Sequence, residues 1–125
     1  MASTTHLKKI TLHLARAKDH AHGSSRYGFE FVAPLDEHGH IDTKSWHEHR
    51  GACVVHRFWG HEPRMRGMLV HRAGGATWMF NYDPARDDDD EAGFHFGQHA
   101  FVPGEYVSVR DGEMLTYKLS SAVSA

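Results

Sequence analysis

The stretch Gly67-Met68-Leu69-Val70-His71-Arg72-Ala73-Gly74-Gly75-Ala76-Thr77-Trp78-Met79-Phe80-Asn81-Tyr82 decides the fold class of this chain. Gly67 to Arg72 and Ala76 to Tyr82 are short runs rich in apolar and aromatic residues, and two glycines separate them. Such a pair suits a type I′ turn, which needs positive φ at both central positions. The turn then sets the register: His71 faces Trp78, Leu69 faces Phe80 and Gly67 faces Tyr82. One face of the hairpin is strongly aromatic. The other carries Met68, Val70 and Met79 and is apolar too. A hairpin apolar on both faces is a central element, or it lines a cavity or a subunit interface.

Outward from this hairpin the period stays near two. Ile10, Leu12 and Leu14 share one face of a strand over Lys9–Leu14, with Lys9, Thr11 and His13 on the other. Tyr27, Phe29 and Phe31 alternate with Glu30 before Pro34 ends that strand. A turn is expected at Asp36-Glu37-His38-Gly39. Ala52–Trp59 is a third strand, rich in β-branched and aromatic residues. A short strand is expected over Phe94–Phe96. Tyr106–Arg110 and Glu113–Leu119 flank Asp111-Gly112, a second turn signature. Read as a two-residue type I′ turn, it pairs Arg110 with Glu113, Val109 with Met114, Tyr106 with Tyr117 and Glu105 with Lys118. One helix is expected over Thr43–Arg50, capped by Asp42, stopped by Gly51 and packed through Trp46.

With so few helical patterns, parallel βαβ units are not expected. The chain reads as mainly β: a small antiparallel barrel or curled sheet of about seven to eight strands with one short helix. Residues 1–125 make one domain. Within it 15–26 read as a mobile loop, 83–91 as an acidic loop and 120–125 as a frayed tail.

Composition narrows the function classes. The chain is 40% hydrophobic and 24% charged, which is globular rather than disordered. The formal net charge is −2, so the 13 histidines decide its sign as the pH falls. Cys53 is the sole cysteine and lies in an apolar run, which reads as a small buried hydrophobe with no intrachain disulfide. No apolar run reaches the roughly 20 residues of a membrane helix. The expectation is a cytoplasmic protein without a membrane partner.

The histidines form three His-x-His pairs: His20/His22, His38/His40 and His47/His49. The first lies in a loop and the second straddles a turn glycine. The third falls on the helix, where two residues mean about 200° of rotation. His95 and His99, after the acidic run, are the better metal candidates, with zinc or nickel as the ion. Otherwise no cofactor is expected. His56, His71, Trp78, Phe80 and Tyr82 would line an open barrel mouth, with an apolar body and a few polar handles. Arg57, Arg64, Arg66 and Arg72, interleaved with Phe58, Trp59 and Trp78, raise single-strand binding, and the acidic net charge argues against a nucleic acid partner.

The stretch Phe94-His95-Phe96-Gly97-Gln98-His99-Ala100-Phe101-Val102-Pro103-Gly104-Glu105-Tyr106-Val107-Ser108-Val109 resembles the end of an uncharacterised family of small bacterial β-barrel proteins. That resemblance implies a fold and no activity. No nucleophile elbow, zinc-protease motif or phosphate loop is present. The expectation is therefore a non-catalytic module that binds a small ligand or another protein, including its own copy as a dimer. The alternative is a histidine-dependent divalent-metal protein or metalloenzyme.

Overall fold

The computed structural model describes residues 6–16, 20–72, 77–83, 91–94, 96, 100–111 and 113–125. Eight antiparallel strands follow one another: β1 (His6–Arg16), β2 (Ser24–Leu35), β3 (Val54–Trp59), β4 (Glu62–Arg72), β5 (Thr77–Asn81), β6 (Glu91–Phe94), β7 (Tyr106–Asp111) and β8 (Glu113–Ser124). Each pairs with its sequence neighbour, and β8 returns to pair with β1, so the sheet closes into a barrel. Closure removes the exposed edges that a curled sheet would leave open to other chains. The helix α1 (Thr43–Glu48) lies between β2 and β3 and runs into a 3-10 turn, Arg50–Ala52.

The alternation of the sequence becomes the inside and outside of the barrel. Ile10, Leu12 and Leu14 of β1, Phe29 and Phe31 of β2, and Val107 and Val109 of β7 are buried. The interior is filled with rings. Phe29 lies 5.0 Å from Phe80 and 5.1 Å from Tyr117, and Phe31 lies 5.1 Å from Phe80, between ring centroids. Phe96 and Phe101, 5.2 Å apart, close over Phe31 from the segment between β6 and β7. An eight-stranded barrel is just wide enough for side chains to fill it. Tilted and edge-on aromatic pairs do so while adding stabilisation beyond burial alone.

The β4–β5 hairpin has the expected register: His71 pairs with Trp78 and Leu69 with Phe80. Gly67 sits beside Tyr82, and a Cβ there would lie 2.7 Å from Tyr82 Cδ1 and 2.6 Å from the Asn81 carbonyl. The turn residues Gly74 and Gly75 lie outside the described residues, as do 84–90 of the acidic loop. Beside that loop, β6 forms over Glu91–Phe94 rather than Phe94–Phe96.

The β7–β8 register is shifted by one residue from the expectation. Val107 pairs with Tyr117, Tyr106 with Lys118, Arg110 with Met114 and Asp111 with Glu113. Paired residues share a face, and a one-residue slip turns a whole strand over. Val107 and Val109 are inward on one strand, Tyr117 and Leu119 on the other, so only odd-to-odd pairing buries both sets. Burial therefore overrides the turn signature.

The carboxyl-terminal segment also differs from expectation. Residues 120–124 continue β8 along β1, pairing Ser121 with Thr11 and Ser124 with Lys8. The Ala125 amide donates to the Leu7 carbonyl at 3.1 Å. The loop expected over 15–26 is narrower, because β1 runs to Arg16 and β2 starts at Ser24.

One end of the barrel is covered by α1 and the turn before it. Asp36 Oδ1 accepts from the His38 amide at 2.8 Å and the His40 amide at 3.0 Å. Burial works to raise the Asp36 pKa, but these amides and the adjacent imidazoles outweigh it and hold the carboxyl below its ordinary value. Gly39, at φ 85°, turns the chain so that its carbonyl accepts from the Phe101 amide at 2.8 Å. Asp42 caps α1 as expected, its Oδ1 accepting from Ser45 N at 3.0 Å. Trp46 is buried, and its Nε1 donates to the Leu69 carbonyl at 2.9 Å. The helix ends at Glu48, before Gly51. His49 stops it: its amide and Nδ1 both donate to the Ser45 carbonyl, and the chain tightens into the 3-10 turn that contains Gly51. Cys53 is fully buried, and desolvation raises its thiol pKa to about 11.

Candidate functional site

The five residues expected to line a mouth do not share a cavity. His71, Trp78, Phe80 and Tyr82 lie on the inner side of β4 and β5. Trp78 and Phe80 are sealed in the core, and His71 lies flat on Trp78 with ring centroids 4.0 Å apart and planes 13° apart. His56 is on the opposite surface, paired with Glu30 and Arg66 on the outer wall. His71 lines a groove of 440 Å³ between α1 and β4, beside Trp46, Arg50, Met68 and Val70.

His95 and His99 lie outside the described residues. Among the described residues no three histidine, cysteine, aspartate or glutamate side chains group to hold a metal ion. No helix among them is long and apolar enough to cross a membrane.

The arginine and aromatic residues of β3 and β4 separate by face. Arg57 stacks on Trp59 at 4.3 Å, and both belong to the inner face of β3 because they pair with Phe29 and Tyr27. Phe58 points outward, with the Arg64 guanidinium 5.3 Å from its ring centroid. The two arginine–aromatic pairs cannot form one stripe, since neighbouring residues of a strand face opposite ways.

Phe58 marks a 520 Å³ groove on the outer wall of β1, β2, β3 and the β3–β4 turn. Three local features build it. Gly60, at φ 61°, starts the two-residue turn between Trp59 and Glu62, and its amide donates to the Arg26 carbonyl at 2.9 Å. The β3–β4 register shifts between Arg57 and Trp59, and the extra residue lies on β4, where Pro63 and Arg64 stand opposite Phe58. Such a bulge bends its strand and re-aims its side chains, here beside the Phe58 ring. Finally, Gly28 stands between His13 and Phe58 in the sheet, paired with both. A Cβ on Gly28 would collide with the Leu12 carbonyl and press on Phe58 Cζ at 3.0 Å. Its missing side chain lets the His13 and Phe58 rings meet edge to face, 5.8 Å apart.

Around Phe58 the groove carries charge of both signs: Arg26 and Arg64 against Glu30 and Glu62, with His61 at the rim. No ion pair joins these arginines to these glutamates among the described residues, so the guanidinium groups keep donors for a ligand. His13 Nδ1 hydrogen-bonds Ser120 Oγ at 2.5 Å. Among the described residues no carboxylate is paired with that histidine.

His13 and Arg26 were not among the sequence-derived candidates. The outward position of His13 was readable from the period of β1. Its meeting with Phe58, 45 residues on, was not. The readable signal was Gly28 inside an otherwise alternating strand, which marks a close approach. In comparisons with known proteins, the chain matches no protein-family model, no curated protein and no solved structure.

Proposed function

We propose that this chain is a non-catalytic binding module that takes its ligand on the outside of the barrel, in the groove around Phe58. One observation carries the reading. The interior is occupied by the chain's own aromatic side chains, while an outward phenylalanine is left as a half-buried floor between His13 and Arg64. A flat ring stacks on that floor, and an anionic substituent meets Arg26 and Arg64. The guanidinium fork suits phosphate or carboxylate bidentately. Glu30 and Glu62 accept from amino groups at the edge of the same ring. The chemistry favours a planar anion with exocyclic amino groups, of which a nucleoside phosphate is the simplest.

The test is an amide-resolved NMR titration with adenosine monophosphate, using ribose 5-phosphate as the anion without a ring. Shift changes centred on His13, Arg26, Phe58 and Arg64, reduced at least tenfold in apparent affinity by Phe58→Ala, are expected. Changes centred on the α1–β4 groove, or changes that Phe58→Ala leaves intact, would overturn the assignment.

A further inference from the structure

The groove around Phe58 does not end at β1. Two further outer-wall grooves, of 470 Å³ and 420 Å³, continue it. The first shares His13 and Ser25 with the Phe58 groove. The second shares Ala15 and Tyr106 with the first. Strand pairing explains the continuity. Tyr106 pairs with Lys118, Lys118 with His13, His13 with Gly28, and Gly28 with Phe58. These residues form one row across β7, β8, β1, β2 and β3. Four strand spacings make the row about 19 Å long. Along it rings are interspersed with cations: Tyr106, then Lys118, then the His13 and Phe58 rings, with Arg64 over Phe58.

We propose that this row holds a single-stranded nucleic acid laid across the strands. The inference rests on the outer wall being the ligand face, and it extends the ligand from one nucleotide to a chain of them. Flat faces separated by cations match a polymer whose bases stack and whose phosphates need neutralising. The charge is arranged accordingly. Arg16, Arg26, Arg64 and Lys118 border the three grooves, against Glu30 and Glu62 at the Phe58 end alone. This excess of cations sits on a chain of net charge −2, so it is local to this wall. Tyr106 is 54% exposed, so its ring is open to a stacking base. An acidic peptide would use the cations equally well, but it would leave the exposed face of Tyr106 without a stacking partner.

Fluorescence anisotropy with labelled oligo-dT and oligo-rU of about fifteen nucleotides tests the proposal, with a labelled poly-glutamate peptide of similar length as the competing class. Both oligonucleotides are expected to bind. With about four phosphate contacts, raising salt from about 50 to 200 mM should weaken them on the order of fiftyfold. Tyr106→Ala should cost roughly tenfold in affinity without changing the salt slope, because it removes one stacking face. Lys118→Gln should flatten the slope by about 0.7. Equal binding of the peptide, together with indifference to Tyr106→Ala, would overturn the nucleic acid in favour of an acidic protein partner. Failure of both polymers while adenosine monophosphate still shifts His13 and Phe58 would discard the strand and leave the groove assignment standing. Failure of the mononucleotide as well would remove both.

Discussion

The indole N–H of Trp46 donates to the Leu69 carbonyl at 2.9 Å, and this bond ties α1 to β4 across the end of the barrel. A helix of six residues has no stability of its own, so its position depends on such tertiary contacts. The same ring meets Trp78 edge-on at 5.3 Å and His71 at 6.0 Å. Trp46 thus combines a buried hydrogen bond with the closing of the aromatic core.

Two substitutions separate these contributions. Trp46→Phe keeps a ring but leaves the Leu69 carbonyl without its donor, and should cost about 1–3 kcal/mol. Trp46→Ala also removes the packing and should cost about 3–5 kcal/mol. Urea unfolding at neutral pH measures both. No loss in Trp46→Phe would mean that the hydrogen bond contributes nothing, and equal losses would mean that the ring packing contributes nothing.

The β7–β8 register makes two tyrosines opposite in consequence. Tyr117 is 2% exposed and packs on Phe29, whereas Tyr106 is 54% exposed on the outer wall. Tyr117→Ala should destabilise by about 3–5 kcal/mol, on the scale of buried aromatic deletions. Tyr106→Ala should stay within about 0.5 kcal/mol of wild type. Similar melting temperatures for the two variants would contradict the register.

Gly28→Ala should be damaging although it adds a single methyl group. The new Cβ meets the Leu12 carbonyl, which is backbone and cannot swing away. Separation of β1 from β2 is required, so the loss should be about 3 kcal/mol or more, at the upper end of overpacking effects. Thermal melts measure the loss, and NMR shifts at His13 and Phe58 report whether their rings part.

Cys53 gives a prediction in alkali. Its folded pKa of about 11 exceeds the ordinary value of 9.0 because burial penalises the thiolate. The neutral thiol therefore favours the folded state, fully so below pH 9.0, and this contribution fades as the pH rises towards 11. Native protein at pH 8 should react with a thiol reagent far more slowly than protein unfolded in urea, and Cys53→Ala should flatten the loss of stability between pH 9 and 11. Rapid labelling of the native protein would show that the site is open.

The sequence and the structure part company at identifiable places. The β4–β5 register followed from turn chemistry because burial and turn agree there. At β7–β8 the turn signature and the apolar alternation disagreed, and Val107, Val109, Tyr117 and Leu119 already carried the winning argument in their shared parity. The Asp42 cap was readable because capping is local. The end of α1 was not, because His49 gains its role only when its amide and ring both reach the Ser45 carbonyl.

The chain's own pattern determined a mainly β protein, the inward positions of most strands, and a short helix held by a buried tryptophan. These depend on residues one to four places apart, where period and capping act. Tertiary structure alone decided that the sheet closes, because β8 finds β1 across the whole chain. Closure fills the interior with rings and moves the open chemistry to the outer wall. It also places Tyr106, Lys118, His13 and Phe58 in one row, a lateral relation set by strand pairing and bulges between segments far apart in sequence.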